Sequence, residues 1–279
     1  MRRNRWIRAI VTAAVLLGLL LGGCGRALPA EDRLTVTLLS VGKADAIVLR
    51  CGGETMVIDT GEADDGRKLV EYLTDEGIGR VDVLIITHFD RDHVGGAALL
   101  AEKLTLGRVL LPDYESDRAE YTGFMHMLEL RGIVSERLQT AVRFKLGSAE
   151  VLVEPPEAYL EDVGDNDMSL ITTVIHGEMR LVFMGDSEKL RTRQWLAGGD
   201  KQPCDFLKVP HHGTFDKALP ELLQALRPRF AAICDSARNP AEAETLDLLA
   251  DFGATVYRTA EGTIRAVSDG RTLHLEQDN

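Results

Sequence analysis

"VDVLIITHFDRDHVGG", residues 81–96, decides the fold. Its first part, "VDVLII", is a short run dominated by valine, leucine and isoleucine and reads as a buried strand. Its second part places His88, Asp90, Asp92 and His93 within six consecutive positions and follows them at once with Gly95 and Gly96. A loop leaving a strand end can turn several side chains toward one point while the sheet holds the backbone still. Neutral imidazole and carboxylate are ligands for zinc, manganese and iron. A solvated charged turn accounts for the aspartates and Arg91 but not for two histidines and a glycine pair, so metal binding is the better reading.

Working outward, the chain upstream is strand-rich. "LTVTLLSV", "DAIVLRC" and "TMVIDTG" read as strands separated by turn-like "GK" and "GGE". A helix is expected around 66–77, another over about 94–103, and a third in "YTGFMHMLELRG". Downstream, "RVLLP", "AEVLVEP", "LITTVIHG", "MRLVFMGD" and "DFLKVP" read as strands. Strand and helix then alternate through "LPELLQALR", "RFAAICD", "AEAETLDLLADFG", "TVYRT" and "TIRAV". Two rounds of strands followed by strand and helix alternation predict two sheets face to face with helices outside, a four-layer α/β/β/α sandwich over residues 34–279. No repeat, low-complexity segment or composition break divides this region.

The start of the chain differs in kind. Arg2, Arg3, Arg5 and Arg8 precede an apolar stretch that ends in "LGGC" at Cys24. This is the pattern of a secretory signal peptide over residues 1–23, with 24–33 as linker. An uncleaved anchor is the rival, but only 17 residues separate Arg8 from Arg26, and spanning takes about 20. "LGGC" resembles a bacterial lipobox, which implies acylation of Cys24. The expectation is an extracytoplasmic body tethered to the cell membrane through an N-terminal lipid, with no obligate protein partner evident.

Charge narrows the partners. The formal net charge is −12, and it falls to −16 once residues 1–23 are removed, because four arginines leave and no acidic residue does. A long electrostatic footprint on DNA needs a basic surface, so the charge argues against that class, while leaving room for a local basic patch. Cys51, Cys204 and Cys234 form no C-x-x-C pair and read as small buried hydrophobes, with oxidation of one pair as the alternative.

With these residues quoted, the chain resembles the metallo-β-lactamase superfamily. "THFDRDHVGG" is similar to its H-x-[HD]-x-D-H signature, with aspartate at the second position. "VIDTG", "NDMSLITTVIHGEMRLVFMGD", "LKVPHHGT" and "VYRTAEGTI" follow the family's order along nearly the whole body. Together they look most like the extracellular domain of ComEC competence proteins and its freestanding relatives. The resemblance implies two divalent ions, zinc or manganese. His88 and Asp90 would bind the first, Asp92 and His93 the second, and Asp186 would bridge them. One of His211 and His212 would complete the second site, and the other would face substrate as a donor or proton carrier. The wider superfamily puts another histidine where this chain has Asn166 and Ser169, so the first site is richer in oxygen donors and manganese rivals zinc. Asp59 is read as a carboxylate behind the ligands that orients a ligand histidine. Lys208 either neutralises a substrate phosphate or points into solvent. His126, His176 and His274 read as surface or boundary histidines. "SVGKADA" resembles the family's D-V-G-Q-G-D-A loop and keeps Asp45, but Ser40, Lys43 and Ala44 replace its usual aspartate, glutamine and glycine, a departure that argues against a shared substrate.

The implied activity is metal-dependent hydrolysis, foremost of a phosphodiester such as single-stranded DNA or a nucleotide, by a water shared between two ions and oriented by Asp92. Rivals are an envelope phosphoester, a β-lactam, and a surface binding protein without chemistry.

Overall fold

In the computed structural model, which describes residues 32–157, 163–199 and 201–278, two sheets stack face to face. The expected signal peptide over 1–23, Cys24 and most of the expected linker fall outside these residues. Among the described residues no helix is long and apolar enough to cross a membrane.

The first sheet begins with an antiparallel meander of β1 (Leu34–Leu38), β2 (Ala46–Cys51) and β3 (Glu54–Thr60). It continues in parallel through β4 (Arg80–Ile85), β5 (Thr105–Pro112) and β6 (Ser135–Leu138). The second repeats this plan. β7 (Val142–Leu146), β8 (Ala149–Glu154), β9 (Ile171–His176) and β10 (Met179–Phe183) are antiparallel. β11 (Phe206–Lys208), β12 (Phe230–Ile233) and β13 (Thr255–Arg258) then add in parallel. β14 (Ile264–Ser268) returns to pair with β1, and β15 (Leu273–Gln277) closes that edge.

Side-chain alternation builds the layers. Leu34, Val36 and Leu38 of β1, Ile47 and Leu49 of β2, and Val83 and Ile85 of β4 point inward against Leu181, Phe183 and Phe206. The opposite faces of the same strands, with Val48, Val57 and Leu84, meet the helices α1 (Gly66–Asp75), α3 (Ala97–Lys103) and α4 (Ala119–Arg131). A strand such as β4, covered on both sides, needs apolar residues on both faces, which is why "VDVLII" is a run and not an alternation. The second sheet's outer face carries α5 (Lys189–Ala197), α6 (Leu219–Leu226) and α7 (Ala243–Asp251). Three apolar interlayers thus make the expected four-layer sandwich.

Several elements differ from the sequence expectation. The helix expected over 94–103 is broken by Gly95 and Gly96 into the short α2 (Arg91–Val94) and α3. A Cβ on Gly95 would lie 2.3 Å from the Arg91 carbonyl, and one on Gly96 2.4 Å from the Thr60 carbonyl, so the loop after β3 presses directly on this backbone. β6, β7, β15 and α5 were not anticipated. Cys51, Cys204 and Cys234 are free and buried.

Candidate metal centre

The carboxyl ends of β3, β4, β10, β11 and β12 meet at one pole of the sandwich, the place where open α/β sheets bind ligands. Asp59 arrives first. The β2–β3 register shifts between Ala46 and Ile47, which pair with Thr60 and Ile58, so Asp59 is the extra residue of a bulge. Its φ of 56° lies in the left-handed region that aspartate tolerates at a cost. The bulge turns its carboxylate inward, where Oδ1 accepts from the Thr87 amide and Oδ2 from the Thr87 hydroxyl, both at 2.7 Å.

These bonds set the state of the histidines. Asp59 Oδ2 lies 2.8 Å from His93 Nδ1. A carboxylate only accepts, so Nδ1 donates and Nε2 is turned forward. The Thr87 hydroxyl spends its proton on Asp59 and therefore accepts from His88 Nδ1 at 3.0 Å. His212 Nδ1 lies 2.8 Å from the Cys234 carbonyl and must likewise donate. All three imidazoles are thus held as Nδ1–H tautomers with Nε2 facing one space.

Carboxylates close that space. Asp186 Oδ2 lies 3.1 Å from His212 Nε2 and 3.3 Å from His93 Nε2, and Asp92 Oδ2 lies 3.4 Å from His212 Nε2. The two Nε2 atoms of His93 and His212 are only 3.3 Å apart. His88 Nε2 is buried without a hydrogen-bond partner, its nearest carboxylate oxygen being Asp90 Oδ2 at 3.7 Å. Ligand atoms of His88, His93 and Asp186 lie within 4.8 Å of one another, as do those of Asp92, His93 and His212. His93 is common to both groups, and Asp186 Oδ2 reaches the second through its approach to His93 and His212. The donor set is nitrogen and oxygen only, which suits zinc or manganese. Asp45, Asp59, Asp90, Asp92 and Asp186 face two fixed cations, Lys208 and Arg118, so the pole has a negative excess that divalent ions would balance.

Ionisation follows the same geometry. Burial pushes the His88 imidazole well below its usual value, so it stays neutral and available as a ligand. Burial also lowers His93 and His212, but the charge of Asp186 overrides it, helped by Asp59 at His93 and by Asp92 at His212, which rises to about 9. For Asp92, burial is outweighed by the His212 hydrogen bond and the charges of His93 and His212, which hold the carboxyl far below the usual range. Asp90, pushed up to about 6 by burial against the pull of Arg118, is the weaker carboxylate.

The histidine pair divides its labour. Both residues have left-handed φ, 47° and 53°, which splays the side chains apart. His212 is buried and enters the ligand cluster; His211 stands at the mouth with Nδ1 3.3 Å from Glu188 Oε1. Asn166 Nδ2 donates to the same Glu188 oxygen at 2.9 Å. The Ser169 hydroxyl accepts from the Asp186 amide at 3.2 Å and so braces the bridging position. Asn166 and Ser169 thus lie around the centre by way of Glu188 and Asp186.

Lys208 fits neither sequence reading. It is fully buried, with Nζ 2.5 Å from Asp45 Oδ2, 3.1 Å from the Gly185 carbonyl and 3.5 Å from Asp186 Oδ1. It reaches neither solvent nor a substrate phosphate; it neutralises the carboxylates from below. His176 is also corrected. It ends β9 at the far pole and is fully buried, whereas His126 and His274 are exposed. Sequence reasoning missed Arg118, whose Nη2 lies 2.6 Å from Asp90 Oδ1, and Glu188. No short-range pattern joins either to the histidine signature.

A sequence profile of the metallo-beta-lactamase superfamily matches residues 39–234. The chain belongs to that superfamily. ComE operon protein 3 of Bacillus subtilis (strain 168) is 28% identical over 201 residues, which is 71% of this chain and 26% of that protein. Competence protein ComA of Neisseria gonorrhoeae is 24% identical over 208 residues, 72% of this chain and 27% of that protein. Both are ComEC-type competence proteins, and this chain spans about a quarter of their length. Among solved structures, the metallo-beta-lactamase fold protein YhfI from Bacillus subtilis superposes with a TM-score of 0.57 at 12% identity, covering 87% of this chain and 100% of that one. The latter likeness concerns the fold. The chain is a hydrolase of the metallo-beta-lactamase superfamily with His/Asp clusters suited to metal.

Proposed function

We propose that this chain is an extracytoplasmic phosphodiesterase or nuclease dependent on two divalent ions, zinc or manganese. The observation that carries the reading is the convergence of three Nε2 atoms, from His88, His93 and His212, on the carboxylates of Asp92 and Asp186. His88 and Asp90 with Asp186 would hold one ion; Asp92, His93 and His212 with Asp186 would hold the other. Two such ions lower the pKa of a water and stabilise charge on the attacking and leaving oxygens of displacement at phosphorus.

The chain's own groups complete the site. Asp92 stays ionised and orients the nucleophile. His211, held by Glu188, presents its free edge to substrate, and burial keeps it below its usual pKa and therefore neutral near pH 7. The basic, then apolar, then "LGGC" start supports export and attachment through Cys24, and the names of the relatives support a part in competence. The net charge of −12 favours a compact or single-stranded substrate over a long duplex.

Purified protein loaded with zinc or manganese is expected to cleave at least one of bis-p-nitrophenyl phosphate, single-stranded DNA and a cyclic dinucleotide, and Asp92→Ala to lose that turnover. Failure on all three substrates with both metals overturns the proposal, and nitrocefin turnover in its place would point to a β-lactam.

A further inference from the structure

Lys43 lies in the loop between β1 and β2, and that loop is tied down on both sides. The Ser40 hydroxyl donates to the Thr259 carbonyl at 2.7 Å, and the Asp45 amide donates to the Asp92 carbonyl at 3.1 Å. The Asp45 carbonyl accepts from the Gly61 amide at 2.7 Å, while its side chain holds Lys208 beneath the centre. The backbone of Lys43 is therefore fixed at the rim of the metal centre, and its charge is among those that act on the His211 ring.

Its ammonium has no counter-ion among the described residues. Among the described residues Lys68, Lys103, Lys201 and Lys208 each have a carboxylate within 4.0 Å. Lys145, Lys189 and Lys217 have none and are exposed to water. Lys43 is the lysine that is both unpaired and half-buried. Drawing an ammonium partly out of water without a partner is unfavourable, and no carboxylate among the described residues offsets it. Of the cations already placed around the centre, Arg118 is paired with Asp90 and Asp165, and Arg91 with Glu62. Acids outnumber cations at the rim: Glu115, Asp117 and Asp165 line one open hollow together with Arg118, and Glu188 stands at the histidine pair.

We propose, on the reading of the centre as a phosphodiesterase, that Lys43 anchors a phosphate oxygen of the substrate beside His211, and that this anchor within an acidic rim selects compact phosphodiesters over long strands. A phosphate held on the metal pair meets one lysine, whereas the flanking phosphates of a polymer meet Glu115, Asp117, Asp165 and Glu188. The substrate class is a diester with one or two phosphates, such as a dinucleotide in linear or cyclic form.

The test compares wild type, Lys43→Gln, Lys43→Arg and, as a control on the exposed face of β7, Lys145→Gln, each with its bound metal quantified. Binding of inorganic phosphate is measured by calorimetry, and KM and kcat on bis-p-nitrophenyl phosphate. Lys43→Gln is expected to weaken phosphate binding and raise KM by roughly tenfold or more, the scale of one hydrogen bond to a charged group. Metal content stays at the wild-type level, Lys43→Arg recovers most of the loss, and Lys145→Gln changes nothing. A cyclic dinucleotide is expected to exceed a long single-stranded oligonucleotide in kcat/KM. Equal phosphate affinity in wild type and Lys43→Gln overturns the anchor, and preference for the long strand overturns the selection. If no ester is turned over but phosphate affinity still depends on Lys43, the catalytic reading falls and the anchor stands.

Discussion

The sandwich buries histidine at both poles, and the two poles treat it oppositely. At the far end, His176 places Nδ1 2.9 Å from the Ser268 hydroxyl and Nε2 2.9 Å from the Asp32 carbonyl and 3.2 Å from the Ser148 hydroxyl, which also meets Cys51 Sγ at 3.3 Å. Both ring nitrogens have oxygen partners, so the ring is a structural fastener. At the metal pole each histidine has its Nδ1 satisfied while its Nε2 is left facing other ligand atoms or, at His88, no partner at all. A buried polar atom left unpaired costs about 1–3 kcal/mol. Burial of a histidine therefore does not mark a metal site; a half-satisfied ring among carboxylates does.

Removing Asp186 should affect the contrast most. Asp186→Ala is expected to lose at least half of the bound zinc or manganese, read by elemental analysis, while His176→Ala keeps all of it. Full metal content in the Asp186 variant would erase the distinction between the poles. Next in size is Lys208→Met, which strands Asp45 and Asp186 without their buried cation. Loss of one partner from a buried pair costs about 3–5 kcal/mol, to be measured by urea unfolding of metal-free protein. A cost below 1 kcal/mol would mean that Lys208 is not needed to hold the carboxylates together.

The poles should also part in their response to pH. His212 is raised to about 9, against an ordinary 6.5, because Asp186 and its neighbouring carboxylates outweigh burial. Between those values the folded metal-free protein holds a proton that the unfolded chain has released, so its contribution to stability is complete below pH 6.5 and is lost as pH rises through about 9. Metal must displace this proton and the one that His93, also raised, holds, so metal affinity is expected to rise by at least about tenfold per pH unit up to about pH 9. An affinity flat from pH 7 to 9 would contradict the protonated state of His212. The smallest effect is at the far pole. Ser148→Ala removes a hydroxyl from a ring nitrogen that keeps the Asp32 carbonyl, and is expected to cost about 1 kcal/mol in unfolding with unaltered metal binding.

Much of this molecule was legible beforehand where residues act locally. The strand runs, the ordered motifs and the clustered His88, Asp90, Asp92 and His93 led to the four-layer sandwich and to the segments that form the centre. α5 escaped because its buried face carries Arg191 and Thr192 beside Trp195. Arg191 is held there by the carbonyls of Ser169 and Glu154, so no apolar stripe announces the helix. β7 does alternate, as "VRFKL", but is short and partly charged. Lys208 and His176 were misjudged because their partners, Asp45 and Ser268, are 163 and 92 residues away in the chain.

The sequence by itself determined the layers, the order of the motifs and the chemical type of the ligands, since periodicity and short motifs depend on neighbours along the chain. The tertiary structure alone decided which histidine of the pair turns inward, which ring nitrogen each presents, and that Lys208 lies beneath the centre. Those outcomes depend on a bulge at Asp59, two left-handed residues at 211 and 212, and hydrogen bonds between remote strands. Direction in space is set only when the two sheets close on one another.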